Sequence, residues 1–254
     1  MENGWSLKSL IHTIVTSKVY QQDSRSTSKL TDLDPQNRLL ARGPRFRMDA
    51  ETIRDTALSI SGLLHERIGG ASFHPPVPKS MLDYNYFKVD WREAETPERY
   101  RRSLYMFRKR SMPDPVLTSF DAPNADFACA RRMRSNTPLA ALTPLNEPVF
   151  VEAARALSLR ILKEGGKTDA ERADYGFRLC TGRTSMASER NALLSLIAKQ
   201  RSRLADGWLS IDQVGFGGLE NRPELPEGTT PQDVAAWAIA ARVLLNMDAT
   251  MTKY

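Results

Sequence analysis

The chain has 254 residues, 41% hydrophobic and 26% charged, with a net charge of +6 and a sequence pI near 9.4. That composition excludes disordered and fibrous classes, and the length is enough to bury a sizeable core. No apolar stretch reaches the roughly 18 residues that a bilayer-spanning helix needs, so no transmembrane segment is expected.

Trp5 to Tyr20 reads as an amphipathic helix with Ser6 as its N-cap. Leu7, Leu10, Ile11, Ile14 and Val15 share one face. The run Leu10 to Val15 is broken by His12 and Thr13 and lacks a small-residue cleavage site, so it does not read as a signal peptide. A helix that needs burial at the chain start predicts a preceding partner segment. The expectation is the C-terminal part of a longer protein.

From Asp49, the positions Ile53, Ala57, Ile60 and Leu64 predict a helix that ends before Gly69-Gly70. Thr96-Pro97 is a helix-start signal, and Tyr100, Leu104 and Phe107 would line one face of the helix it opens. Thr137-Pro138 repeats that signal ahead of Leu139, Leu142 and Leu145, and Pro144 should end that helix. Pro148 opens a helix carrying Phe150, Ala154, Leu157 and Ile161 up to Gly165-Gly166. Asp169 caps one with Ala173, Phe177 and Cys180, closed by Gly182. Ser185 starts another through Leu193, Leu194, Ile197 and Leu204. Thr230-Pro231 begins the last, with Val234, Trp237, Ala238, Ala241, Leu244 and Leu245 as a broad apolar stripe.

Only Trp208 to Phe216 alternates as a strand would. Irregular stretches occupy Ser24 to Arg47, Gly69 to Glu95 and Ser111 to Asp126. The expected architecture is therefore all-α: one irregular multi-helical domain over residues 1–254, with long ordered loops and little or no sheet.

Several segments carry a family resemblance when taken together in chain order. They are Pro44-Arg45-Phe46-Arg47-Met48-Asp49-Ala50-Glu51 with Ile53-Arg54-Asp55; Gly69-Gly70; Tyr100-Arg101-Arg102-Ser103-Leu104-Tyr105; and Phe120-Asp121-Ala122-Pro123. Arg131-Arg132 with Asn136-Thr137-Pro138-Leu139, and Leu145-Asn146-Glu147-Pro148 with Phe150-Val151-Glu152-Ala153-Ala154, complete the set. The chain resembles the planctomycete-specific PSD domain of unknown function, which closes exported proteins that begin with a c-type cytochrome domain. The tail from Ala236-Trp237-Ala238 to Leu244-Leu245-Asn246 is similar to that family's ending. Where the family has a glutamine-containing segment, this chain has Ala140-Ala141-Leu142-Thr143-Pro144. The resemblance implies a periplasmic or cell-envelope location, upstream domains as partners, and a link to carbohydrate use by association alone.

No CxxCH, HExxH or phosphate-cradling loop is present, so no cofactor and no metal are expected. The mild basicity does not by itself point to nucleic acid, and no nucleic-acid role is expected. Cys129 and Cys180 read either as two small buried residues or, if the protein is exported, as a disulfide. Among the histidines, His12 reads as a core or interface residue and His65 as the end of a helix. His74, in the aromatic loop, is the one weighed for function.

Two clusters are candidates for ligand contact. Arg99, Arg101, Arg102, Arg108, Lys109 and Arg110 would share a helix, followed by Arg131, Arg132 and Arg134, with Asp121 and Asp126 between. Arginine forks grip carboxylate and sulfate bidentately, which suits an acidic or sulfated polysaccharide. The same arginines would equally clamp loop backbone and Asp121 within a scaffold. The aromatic loop adds Trp91, Tyr84, Tyr86 and Phe87 as stacking surfaces, with Asp83, Asn85 and Asp90 as hydroxyl acceptors; packing as an ordered loop is the other reading. The functional expectation is an accessory or scaffold module, and the alternative is a catalytic domain completed by the upstream domains.

Overall fold

The computed structural model describes residues 4–83, 90–218 and 222–253. It is mostly helical, and the one sheet among the described residues has two short strands. Its chain falls into two compact units, Met1–Arg47 with Thr252–Tyr254, and Met48–Met251. No described helix is long and apolar enough to cross a membrane.

In the first unit, α1 (Leu7–Val15) starts where Ser6 accepts from the Ser9 amide at 3.3 Å. It ends at Thr16, short of the expected Tyr20. Its apolar side, Leu7, Leu10, Ile11 and Ile14, is exposed, and so is His12, which corrects the core reading of that residue. The short α2 (Ser28–Leu33) lies inside the stretch expected to be irregular. Strands β1 (Phe46–Arg47) and β2 (Thr252–Lys253) pair antiparallel, Phe46 opposite Lys253.

The second unit opens with α3 (Ala50–Ser61), which stops seven residues earlier than Gly69-Gly70 would place it. Gly62 is the cause. It takes φ 81°, a left-handed conformation that costs glycine little, and turns the chain so that Leu63 and Leu64 both donate to the Leu58 carbonyl. The short α4 (Lys79–Asp83) and α5 (Pro115–Ser119) follow.

Helix α6 (Pro138–Asn146) carries the predicted Thr137 cap, with Pro144 in its last turn. It buries Ala140 and Pro144 and leaves Leu139 and Leu142 exposed. Helices α7 (Pro148–Glu164), α8 (Asp169–Thr181) and α9 (Ala187–Ala205) lie close to their expected spans. The cap of α8 is Thr168 rather than Asp169. Thr168 and Glu171 form a reciprocal capping box, which frees Asp169 to take the Arg201 guanidinium.

Trp208 to Phe216 is not a strand. Ser210 caps α10 (Ile211–Phe216), Gly217 closes it at φ 74°, and Trp208 is exposed. Helix α11 (Pro231–Leu245) and the single turn α12 (Asp248–Met251) complete the unit.

The core forms where α7 and α11 face one another, with α3, α8, α9 and α10 around them. Phe150, Leu157 and Ile161 of α7 meet Val234, Trp237, Ala241 and Leu244 of α11, and all are buried. The alanines of α11 let neighbouring backbones come close. Gly176 of α8 does the same: a Cβ there would sit 2.8 Å from Ile161 Cδ1. Burying each large apolar side chain stabilises the unit by about 1.5–3 kcal/mol.

Candidate functional site

The stretch after Thr96-Pro97 is where expectation and structure part most. Instead of one helix there are two single 3-10 turns, Glu98–Tyr100 and Ser103–Tyr105, with extended chain between them. The backbone groups that a helix would use are taken by loop 65–73. His65 donates to the Tyr100 carbonyl at 3.1 Å, Phe73 donates to the Tyr105 carbonyl, and Phe107 donates to the Phe73 carbonyl. His65 thus sits in a bridge to Arg101, 3.5 Å from Glu98, and not at a helix end.

Extended backbone sends alternate side chains to opposite sides. Arg101 points inward and is 1% exposed, whereas Arg102 is exposed. Arg101 donates to the Ala71 carbonyl at 2.8 Å and to the Gly69 carbonyl, and its guanidinium lies 4.1 Å from the Tyr105 ring centroid. From α3, Arg54 donates to the carbonyls of Arg101 at 2.9 Å and Arg99 at 2.8 Å. Asp55 accepts from the Ser103 amide and hydroxyl. These arginines serve as backbone clamps, an arrangement in which charged donors satisfy carbonyls that would otherwise be buried unpaired.

Beside Arg54 lies a cavity of about 20 Å³, walled also by Arg99, Asp114 and Glu147. That is room for about one water molecule. Asp114 caps α5, accepting from the Leu117 amide at 2.9 Å, and Glu147 caps α7. Burial pushes the Asp114 carboxyl above the usual carboxylate range, against the pull of the Leu117 amide and Arg54. Burial also raises Glu147, and the neighbouring Asp114 charge adds to it. Neither carboxyl stood out as a candidate in the sequence. Their signal is an acid directly before a helix-opening proline, Asp114-Pro115 and Glu147-Pro148.

The aromatic loop is partly described: Tyr84, Asn85, Tyr86 and Phe87 lie outside the described residues. His74, Trp91 and Phe107 form a group, with the His74 ring 4.7 Å from each of the other two centroids. Trp91 donates from Nε1 to the Pro75 carbonyl at 2.9 Å, which fixes its ring. Asp83 and Asp90 are exposed, and Asp90 pairs with Arg92 at 3.2 Å.

The second arginine cluster is at the surface. Arg131, Arg132 and Arg134 are all exposed. The expected partner, Asp121, instead accepts from the Ser135 amide at 2.7 Å and from its hydroxyl. Arg132 donates to Glu51 at 2.7 Å and Arg134 to Asp49 at 3.2 Å, both at the N-terminal end of α3. Arg108 also donates to Glu51. Burial raises the Glu51 carboxyl, but Arg132 and Arg108 outweigh it and hold it below its ordinary value. Among the described residues the Arg131 guanidinium has no hydrogen-bond or ion-pair partner. Asp126 accepts from Asn124.

Both cysteines are free. Cys129 is exposed, which corrects its reading as a buried residue, while burial pushes the Cys180 thiol up to about 12. No group of three or more metal-ligating side chains occurs among the described residues.

No curated protein and no solved structure matches the chain. A family described as PSD1, protein of unknown function (DUF1553), matches residues 1–197, so the similar tail from Ala236 lies beyond the matched span. With more than half its length matched, this chain, arginine clamps and cationic edge included, belongs to the PSD1 (DUF1553) family.

Proposed function

We propose that the chain is an accessory, non-catalytic module of an envelope-associated carbohydrate-utilisation protein, and that it contacts anionic glycans through Arg131, Arg132 and Arg134. One observation carries the reading. The exposed Arg131, without an ion-pair partner among the described residues, adjoins in sequence a set in which Arg108 and Arg132 share Glu51, and Arg134 takes Asp49. The arginine ends of these pairs are exposed while Asp49 and Glu51 are half-buried, so a polyanion meets the guanidinium groups from solvent and competes with the two carboxylates for them. The interior arginines Arg54 and Arg101 are committed to loop carbonyls and stay out of that exchange. The carbohydrate and envelope context comes from the family resemblance. The exposed apolar side of α1 offers a surface to the companion domains which that resemblance implies.

Affinity electrophoresis tests this. Retardation in gels holding polygalacturonate, but not in gels holding neutral dextran, is expected; equal mobility in both would overturn the reading.

A second reading, catalytic action on polysaccharide, rests on Asp114 and Glu147. Two carboxyls raised by burial beside an arginine are a pattern found in acid–base sites. A cavity with room for one water admits no sugar unless it opens. Release of reducing ends from polygalacturonate, lost in Glu147→Gln, would favour it.

A further inference from the structure

A second and larger cavity, about 100 Å³, adjoins the one-water cavity and shares Asp114 as a wall. Its other walls include Phe107, Lys109, Pro113, Thr118 and Asn124. Of these, Lys109 belongs to the basic run singled out in the sequence, and Phe107 was expected only as part of a helix face.

We propose that this cavity binds the carboxylate end of a single uronic-acid unit of an anionic glycan, with Lys109 and Asn124 holding the carboxylate and Phe107 lying under the sugar ring. The proposal rests on the reading of the chain as an anionic-glycan module and adds the place where one sugar is recognised.

Four observations support it. The first is size. A cavity of about 150 Å³ holds benzene, so 100 Å³ takes a carboxylate and its ring attachment and leaves the ring at the mouth. The second is the surface at the mouth. Phe107 is 39% exposed and is backed by His74 at 4.7 Å and Trp91 at 6.0 Å between centroids, so it is a fixed and accessible apolar platform.

The third is charge. Lys109 is half-buried, and among the described residues its ammonium has no ion-pair partner. A partly desolvated, unpaired cation gains more from an arriving anion than an exposed one does. The Asn124 amide, which donates to Asp126 at 2.5 Å, has a second N–H. One ammonium and one amide match the two oxygens of a carboxylate. Asp114 also walls the cavity, so an arriving carboxylate faces it beside Lys109, and burial shifts the Asp114 carboxyl upward, in the direction of its neutral form.

The fourth is continuity. Arg108, next in sequence to both Phe107 and Lys109, pairs with Glu51, which also takes Arg132. Arg108 is thus both a wall of the cavity and a member of the arginine row, and a polymer along that row can place one unit in the cavity.

The test uses the full chain, with galacturonate and galactose as probes, followed by amide chemical shifts. Saturating shifts with galacturonate, weakened by added salt, and at least tenfold weaker binding of galactose are expected. Lys109→Met should weaken galacturonate at least tenfold with the melting temperature unchanged. Phe107→Leu, which keeps an apolar filler against His74, should weaken it too. The proposal is overturned if galacturonate fails to saturate, or if both variants bind it as the wild type does. Polygalacturonate retardation that persists in that case leaves the arginine row standing and removes only the cavity. Loss of both removes the glycan reading as a whole.

Discussion

Arg54 and Arg101 stand 47 positions apart in sequence, yet the guanidinium of the first donates to the carbonyl of the second at 2.9 Å, deep in the second unit. Arg54 is 3% exposed. Its burial is tolerated because it satisfies two carbonyls and lies 3.5 Å from Asp55.

Arg54→Met should therefore destabilise the chain by about 3–5 kcal/mol, since it strands those carbonyls and leaves Asp55 without its cation. Arg102→Ala, one position from Arg101 but exposed, should stay within about 0.5 kcal/mol. Urea denaturation of the two variants measures the contrast. A loss below about 1 kcal/mol in Arg54→Met would contradict the clamp.

Trp237 is fully buried on α11 where that helix meets α7. Trp237→Ala should cost about 3–5 kcal/mol. A cost below about 1 kcal/mol in chemical denaturation would mean the α7–α11 face is not the core.

Asp114 and Glu147 should give stability an unusual pH component. Their folded values lie above the ordinary 3.8 and 4.5, so between those values and the folded ones the native state binds more protons than the unfolded state. Their contribution is present in full below the unfolded values and is lost as pH rises through the folded ones. Asp233 and Asp169 act in the opposite sense. Arg201 holds Asp169 below its ordinary value, and in Asp233 the Thr230 bonds and Arg201 outweigh burial. Their stability is present above about pH 4 and lost below it. Asp114→Asn keeps a cap acceptor for Leu117. Relative to wild type, it should therefore gain stability as pH rises from about 4. Melting curves across pH check this, and parallel profiles would refute the burial argument.

The helices that could be read directly are those whose start, face and stop are all local. Thr230-Pro231, the stripe through Trp237 and the α11 span show this, as do Pro148 and Gly165 for α7. One misreading arose where a distant group decided, and two where a local cap was passed over. Tyr100 to Phe107 has helical spacing, but its carbonyls are claimed by His65, Phe73 and Arg54. Gly62 ended α3 with a local signal that was open to view, whereas Ser210 and Gly217 outweighed the alternation around Val214. For the site, composition indicated that arginines matter but not which ones. Neighbours such as Arg101 and Arg102 differ only by which side of an extended strand they face. Asp49 and Glu51 as partners of Arg132 and Arg134 follow from tertiary packing alone.

The most direct measurement of the division between structural and ligand-facing arginines is the affinity for polygalacturonate of wild type and of Arg131→Ala/Arg132→Ala/Arg134→Ala, alongside their melting temperatures. The triple variant should melt within a few degrees of wild type, because its three arginines are exposed and Glu51, though half-buried, keeps Arg108. Its binding should fall at least tenfold, and wild-type binding should weaken with salt. Unchanged affinity in a folded triple variant, or a collapse of its stability with no salt-sensitive binding in the wild type, would contradict the account.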